Sequence, residues 1–265
     1  MEAGPGMLDD VVARLRAAGC VWADDEAALL VAQAPDPDAL DSLVARRCGG
    51  EPLERVLGWA ELLGVRVPVS PASFVPRRRS EPLLRAALAL IPSGARRTVV
   101  DVGCGSGALG LVVRTLRASV VLHATEVDTA AAAAASQLLG TGIVHVGDLL
   151  DPLPASLLGQ IDVVLANLPY VPTARIATLP REARDHDPRI SLDGGDDGLR
   201  LHRRLAARVS PWLAHGGTVL AEVSPGQAPA CAAAYAAQGL RATAHTDDDH
   251  DVAVVTARGP ARVAR

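Results

Sequence analysis

The chain has 265 residues, 49% of them apolar, with a formal net charge of -4 and a pI near 6.0. That length can bury one large core, or a main core with a small appendage. Net acidity argues against a broad grip on nucleic-acid phosphates, no apolar run approaches the roughly 20 residues that cross a bilayer, and MEAGPGMLDD lacks the basic-then-apolar pattern of a secretory signal. A cytoplasmic protein without membrane association is therefore expected. Cys20, Cys48, Cys104 and Cys231 are widely spaced and form no CxxC pair, which points to reduced thiols rather than a zinc site or a disulfide framework. Every basic side chain is arginine and alanine is abundant, a composition that reads as GC-biased coding.

From about Met7 to Arg47 the pattern is helical. LDDVVARLRAAG places Leu8, Val11, Val12 and Leu15 on one face, and DDEAALLVAQA does the same with Ala27, Leu30 and Val31. Asp24 or Asp25 is the expected N-cap of the second helix. Prolines and the Gly49-Gly50 break then punctuate shorter helices, so residues 1–58 read as a small helical domain. Over residues 59–80, valines alternate at Val65, Val67 and Val69 among Pro68, Pro71 and Pro76, as suits a connector hairpin.

From residue 81 to 265 strands and helices alternate, which implies a mostly parallel sheet covered on both faces. RRTVVDVGCGSG is a strand running into a glycine turn, ALGLVVRTLRA a helix, SVVLHATEVD a strand, and AAAAASQLLG a helix ended by Gly140. Further strands are expected in GIVHVGDLL, QIDVVLANLPY and GGTVLAEVSPGQ. Two more flank the acidic loop TDDDHD, where His245 and His250 read as a solvated hairpin rather than a metal site.

Chemistry is concentrated at the strand ends. Gly103, Gly105 and Gly107 in DVGCGSG let main chain approach a ligand with no Cβ in the way. Glu126 ends the next strand, where a carboxylate can accept hydrogen bonds from two ribose hydroxyls. Asp148 follows the third strand and can meet an adenine amino group. The spacing is GxGxG with Asp101 two residues before the first glycine, not the GxGxxG of dinucleotide enzymes, and it resembles the cofactor loop of class I S-adenosylmethionine-dependent methyltransferases.

In IDVVLANLPYVPTA, Asn167 stands at the end of the fourth strand. Pro169 forces Leu168 towards extended backbone and removes an N–H. The Asn167 side-chain oxygen and the Leu168 carbonyl can then take both hydrogens of one planar NH2 group, with Tyr170 against its plane. Such a nitrogen delocalises its lone pair and is a poor nucleophile, so fixing its direction removes several kcal/mol of barrier without a strong base.

Over most of its length, through EPLERVLGWAELLGVRVPVSPASFVPRRRSEPLL, DVGCGSGALGL, GDLLDPL, NLPYVP, LDGGDDGLRLHRRL and GGTVLAEVSPGQ, the chain resembles the HemK (PrmC) family of protein-glutamine methyltransferases. Those enzymes modify the Gly-Gly-Gln glutamine of peptide chain release factors. The resemblance implies a Rossmann-like, mostly parallel seven-stranded sheet with an N-terminal helical domain that grips the release factor. It implies S-adenosylmethionine as cofactor, giving S-adenosylhomocysteine. Asp101 and the loop Gly103, Cys104, Gly105, Ser106, Gly107 would hold the cofactor's methionine part, Glu126 its ribose, and Asp148 with Leu149 its adenine. Asn167, Leu168, Pro169 and Tyr170 would hold the target amide, with Asn167 also beside the cofactor and Phe74 lining the site from the connector.

Three departures keep alternatives open. Leu168 replaces the first proline of the family's N-P-P-Y, and N-L-P-Y is also how ribosomal RNA adenine dimethyltransferases write this motif. An adenine amino group of RNA or DNA, or a small-molecule amine, would fit the same acceptors. PRRRSE stands for a more usual P-R-P-E-T-E, so Ser80 replaces a threonine; Arg78 and Arg79 read as solvated charges, with a rim contact for an acidic or phosphate-bearing partner as the alternative. TDDDHD is unlike the family's basic loop. A non-catalytic partner-binding module on the same fold is the third class of reading.

Overall fold

A computed structural model describes residues 5–69 and 74–260. The first four residues of the signal argument and residues 70–73 of the connector, which include Pro71, lie outside the described residues.

Four helices open the chain: α1 (Pro5–Ala17), α2 (Ala23–Gln33), α3 (Pro37–Cys48) and α4 (Leu53–Leu57). Val11, Val12, Leu15, Ala27, Leu30, Leu40, Val44, Val56 and Leu57 form one buried cluster between them, as the helical spacing requires. Leu8 stays at the rim, 36% exposed, and Val31 is partly buried. The expected aspartate cap is not found on α2. Trp22 is its N-cap, with no side-chain cap hydrogen bond, and Asp24 and Asp25 sit with Glu26 in the first turn, where they favour the helix dipole. A capping aspartate begins α3 instead: Asp36 accepts from Ala39 N at 2.8 Å, ahead of Pro37.

The helical unit is tied to the rest of the chain by buried charge. Arg47 donates to Glu26 at 2.6 Å and pairs with Glu182 at 2.7 Å. Next come β1 (Trp59–Leu62) and β2 (Val65–Pro68), an antiparallel hairpin closed by Leu63 and Gly64, both with positive φ as a two-residue hairpin turn demands.

The remaining elements are α5 (Glu81–Leu90), β3 (Thr98–Val102), α6 (Ala108–Leu116), β4 (Val121–Glu126), α7 (Thr129–Leu139), β5 (Val144–Val146), β6 (Ile161–Ala166), α8 (Arg181–His186), α9 (Arg200–Val209), β7 (Leu213–Val223), α10 (Ala228–Ala236), β8 (Arg241–Asp247) and β9 (Val252–Arg258). The strands form one seven-stranded sheet in the order β5-β4-β3-β6-β7-β9-β8. Its first five strands are parallel, and β9 and β8 pair antiparallel.

Along β6, Val163 and Leu165 join one buried cluster with α5, α6 and α7, while Val164 and Ala166 join another with α9 and α10. Alternate side chains thus serve opposite faces. Both faces are covered, so the central strands read as unbroken apolar runs. The chain order reverses between β3 and β6, and open sheets of this kind bind ligands outside the strand ends at that point.

Candidate active site

A hollow of about 830 Å³ opens at the carboxyl ends of β3, β4 and β6. Every residue assigned from the sequence to the cofactor or the target amide lines it except Gly107. Gly107 is the residue before α6, and a Cβ there would meet the Leu139 side chain at 2.9 Å. Its small size serves the packing of α6 on α7.

Gly103 and Gly105 differ in what surrounds them. A Cβ on Gly103 would lie 2.8 Å from Leu168 Cδ2, whereas one on Gly105 would meet no protein atom within 4 Å. The first glycine lets the two walls of the hollow touch. The second, at φ 56°, presents bare main chain to open space. Beneath them Asp101 accepts from Gly110 N at 3.0 Å, and burial, partly offset by that bond, pushes its carboxyl up to about 7. Burial, followed by Asp101 and Glu126, raises the Cys104 thiol far above its ordinary range, so it stays neutral.

Glu126 turns back onto the loop. Its Oε2 accepts from Gly105 N at 2.8 Å and its Oε1 from Asp128 N at 2.9 Å. A carboxylate oxygen carries two acceptor sites, so both retain capacity for a ligand hydroxyl. Asp148 is paired with Arg204 of α9 through Oδ2, a partner the sequence did not disclose, and Leu149 beside it is buried. These groups fit a nucleoside with an amino-acid tail: a glycine-floored cleft, a carboxylate with acceptor capacity left for hydroxyls, and a second acid lining the same hollow.

The opposite wall begins where β6 ends. Asn167 Nδ2 donates to Ser80 Oγ at 2.9 Å, and among the described residues no hydrogen bond uses Asn167 Oδ1. No described backbone N–H donates to the Leu168 carbonyl either. Among the described residues, then, neither oxygen has a hydrogen-bond partner, and both residues line the hollow. Tyr170 donates to Glu222 Oε1 at 3.2 Å, and its carbonyl accepts from Gln227 Nε2 at 2.7 Å. Burial, then the Glu222 charge, raises the Tyr170 hydroxyl above its ordinary range, so it remains a donor.

Arg79 lies with its guanidinium 5.8 Å from the Tyr170 ring centre and donates to the Asp251 carbonyl at 2.7 Å. It lines the hollow, which overturns the solvated reading for this residue; the Arg78 side chain is 81% exposed. Phe74 enters on a segment clamped by the buried Asp187 carboxylate, which accepts from Arg77 at 3.0 Å and from Val75 N at 3.4 Å. In the terminal hairpin His250 Nδ1 meets Asp247 Oδ1 at 2.8 Å, and no group of three or more metal-ligating side chains occurs among the described residues.

Sequence reasoning missed Glu222, Arg204 and Asp187. Glu222 had a readable signal, an acid inside the apolar strand TVLAEV. Arg204 and Asp187 had none, because their partners are remote in the chain.

Residues 83–179 match a family model described as the methyltransferase small domain. A release factor glutamine methyltransferase of Deinococcus radiodurans is 34% identical over 215 residues, covering 80% of this chain and 77% of that protein. One from Geobacter sulfurreducens is 33% identical over 194 residues, and the match spans 66% of its length and 72% of this chain. A 4-amino-L-phenylalanine/4-methylamino-L-phenylalanine methyltransferase of Streptomyces pristinaespiralis is 34% identical over 212 residues, covering 77% of this chain and 72% of that one. Among solved structures, a methyltransferase from Pyrococcus furiosus superimposes with a TM-score of 0.55 at 14% identity, covering 75% of this chain and 90% of that chain, which shows the fold.

Proposed function

The chain belongs to the release factor glutamine methyltransferase family, and from that premise we propose that it methylates the side-chain amide nitrogen of a protein glutamine, the Gly-Gly-Gln glutamine of a peptide chain release factor. The observation that carries the reading is a pair of acceptors without a hydrogen-bond partner among the described residues, Asn167 Oδ1 and the Leu168 carbonyl, on residues that line the same hollow as the glycine loop. When bound, S-adenosylmethionine supplies an electrophilic methyl group on a sulfonium.

Asp101 fixes the glycine turn through Gly110, Gly105 offers unobstructed main chain to the cofactor's methionine part, Glu126 holds the ribose, and Asp148 with Leu149 flanks the adenine. Across the hollow, Asn167 and Leu168 accept the two amide hydrogens, which aims the nitrogen lone pair and stabilises the positive charge that grows on it. Tyr170 stays protonated and tied to Glu222, so it holds the plane of the amide rather than removing a proton. Phe74 closes the apolar side. The helical unit α1 to α4, locked on through Arg47, is assigned the grip on the release factor.

A second reading is favoured by one observation, the Streptomyces relative whose name gives an aryl amine as its acceptor. An aryl NH2 is also flat and also has two hydrogens for the same acceptors. Incubation with labelled cofactor and, separately, release factor, ribosomal RNA and 4-aminophenylalanine decides among them. Label is expected on the release factor; label on the free amine or on RNA alone overturns the glutamine assignment.

A further inference from the structure

An amide side chain is useful at this site in only one of its two orientations. With Oδ1 towards the acceptor it takes a hydrogen from the target nitrogen; rotated by half a turn it presents two hydrogens of its own and repels that group. What faces the acceptor is decided by what stands behind, and behind Asn167 stands the Ser80 hydroxyl, 2.9 Å from Nδ2. A hydroxyl can accept or donate, so Ser80 alone does not choose. The choice passes to the group that fixes the hydroxyl hydrogen.

Glu222 is placed to do so. It is 1% exposed on β7; its carboxylate accepts from the Tyr170 hydroxyl and lies within electrostatic reach of Ser80 and Arg79 without a formed Ser80–Glu222 hydrogen bond, and the His202 ring of α9 is near its carbonyl. Oε1 accepts from Tyr170 at 3.2 Å and Oε2 has no hydrogen-bond partner among the described residues. A buried carboxylate with an idle acceptor is costly unless something uses it.

We propose, resting on the assignment of Asn167 as the acceptor-holding residue, that Ser80 and Glu222 are positioning residues. Ionised Glu222 takes the Ser80 hydroxyl hydrogen, Ser80 Oγ thereby accepts from Asn167 Nδ2, and Asn167 Oδ1 is held towards the target nitrogen. Protonated Glu222 can donate to Ser80 Oγ instead, turning the Ser80 hydrogen towards Asn167 and favouring the flipped amide. Burial, opposed by Ser80, Arg79 and Tyr170, pushes the Glu222 carboxyl up to about 7, so the two states exchange in the neutral range.

The test uses the full chain and whichever acceptor the wild type methylates, with Glu222→Gln, Ser80→Ala and Ser80→Thr. Glu222→Gln and Ser80→Ala are expected to lower kcat about 10- to 100-fold, as for loss of a hydrogen bond to a charged group, while cofactor affinity stays within about twofold. Ser80→Thr, which keeps the hydroxyl, should restore most of the rate. The rise of kcat between about pH 6 and 8 should vanish in Glu222→Gln. A readout without turnover is the side-chain amide NMR signal of Asn167, which should titrate near neutrality in the wild type and not in Glu222→Gln or Ser80→Ala. Unchanged kcat and an amide signal that ignores pH in the wild type would overturn the proposal. An enzyme inert towards glutamine but with the titrating amide would overturn the substrate assignment and leave this proposal standing.

Discussion

The two walls of the hollow are built by different means. The wall at β3 and β4 is largely main chain: a glycine turn, the Gly105 N–H held by Glu126 across 21 positions and the Gly110 N–H held by Asp101 across 9. The wall at β6 and β7 is a lattice of side chains, Asn167 on Ser80 across 87 positions and Tyr170 on Glu222 across 52. The first needs only a local turn to form and is shaped to hold a ligand. The second needs the whole sheet and orients a reacting atom. The difference predicts that binding and chemistry can be damaged separately.

Leu168 is the seam, buried at 2% exposure with Cδ2 against the glycine loop. Leu168→Ala is expected to give the largest effect, about 2–5 kcal/mol of lost stability in denaturant unfolding, with both affinity and rate reduced. A stable variant altered in one of them alone would show that the walls are not joined there. Asn167→Ala should lower kcat about 100- to 1,000-fold and leave the calorimetric Kd for S-adenosylmethionine within about twofold; parallel losses would erase the distinction between the walls.

His202 of α9 is an acid-sensitive group beside the side-chain wall's Glu222. Burial, partly offset by the Glu222 carbonyl, lowers His202 to about 4, below the usual histidine value near 6.5. Its stabilising contribution is therefore complete above about pH 6.5 and is lost as pH falls towards 4. Asp101 and Glu222, raised to about 7, act in the opposite sense, their contribution fading as pH rises from about 4 through 7. The stability difference between wild type and His202→Leu isolates the histidine and should shrink by up to about 3 kcal/mol on going from pH 6.5 to 4; a difference that ignores pH would place the ring in contact with water. Glu126→Ala gives the smallest effect, a Kd raised about 10- to 100-fold with near-normal kcat at saturating cofactor. A large drop in kcat there would give the glycine wall a part in the chemistry.

The same division explains what could be read from the chain. DVGCGSG, Glu126 and NLPY announce themselves because turns, strand ends and a proline act locally on main chain. The mostly parallel sheet covered on both faces follows from strand and helix alternation. Arg204 and Asp187 become visible only once folding brings together segments that no local pattern relates, Glu222 showed only as an acid inside an apolar strand with its partners unnamed, and the steric demand of Leu139 on Gly107 is not written beside that glycine. The α2 cap failed because the chain offered consecutive acids, and placed them inside the first turn.

The most direct measurement is tandem mass spectrometry of a release factor after incubation with the purified chain and S-adenosylmethionine. One added methyl on the side-chain nitrogen of the Gly-Gly-Gln glutamine, absent with Asn167→Ala, is the predicted result. A methyl on another atom, or an unmodified release factor beside a methylated aryl amine, would contradict it.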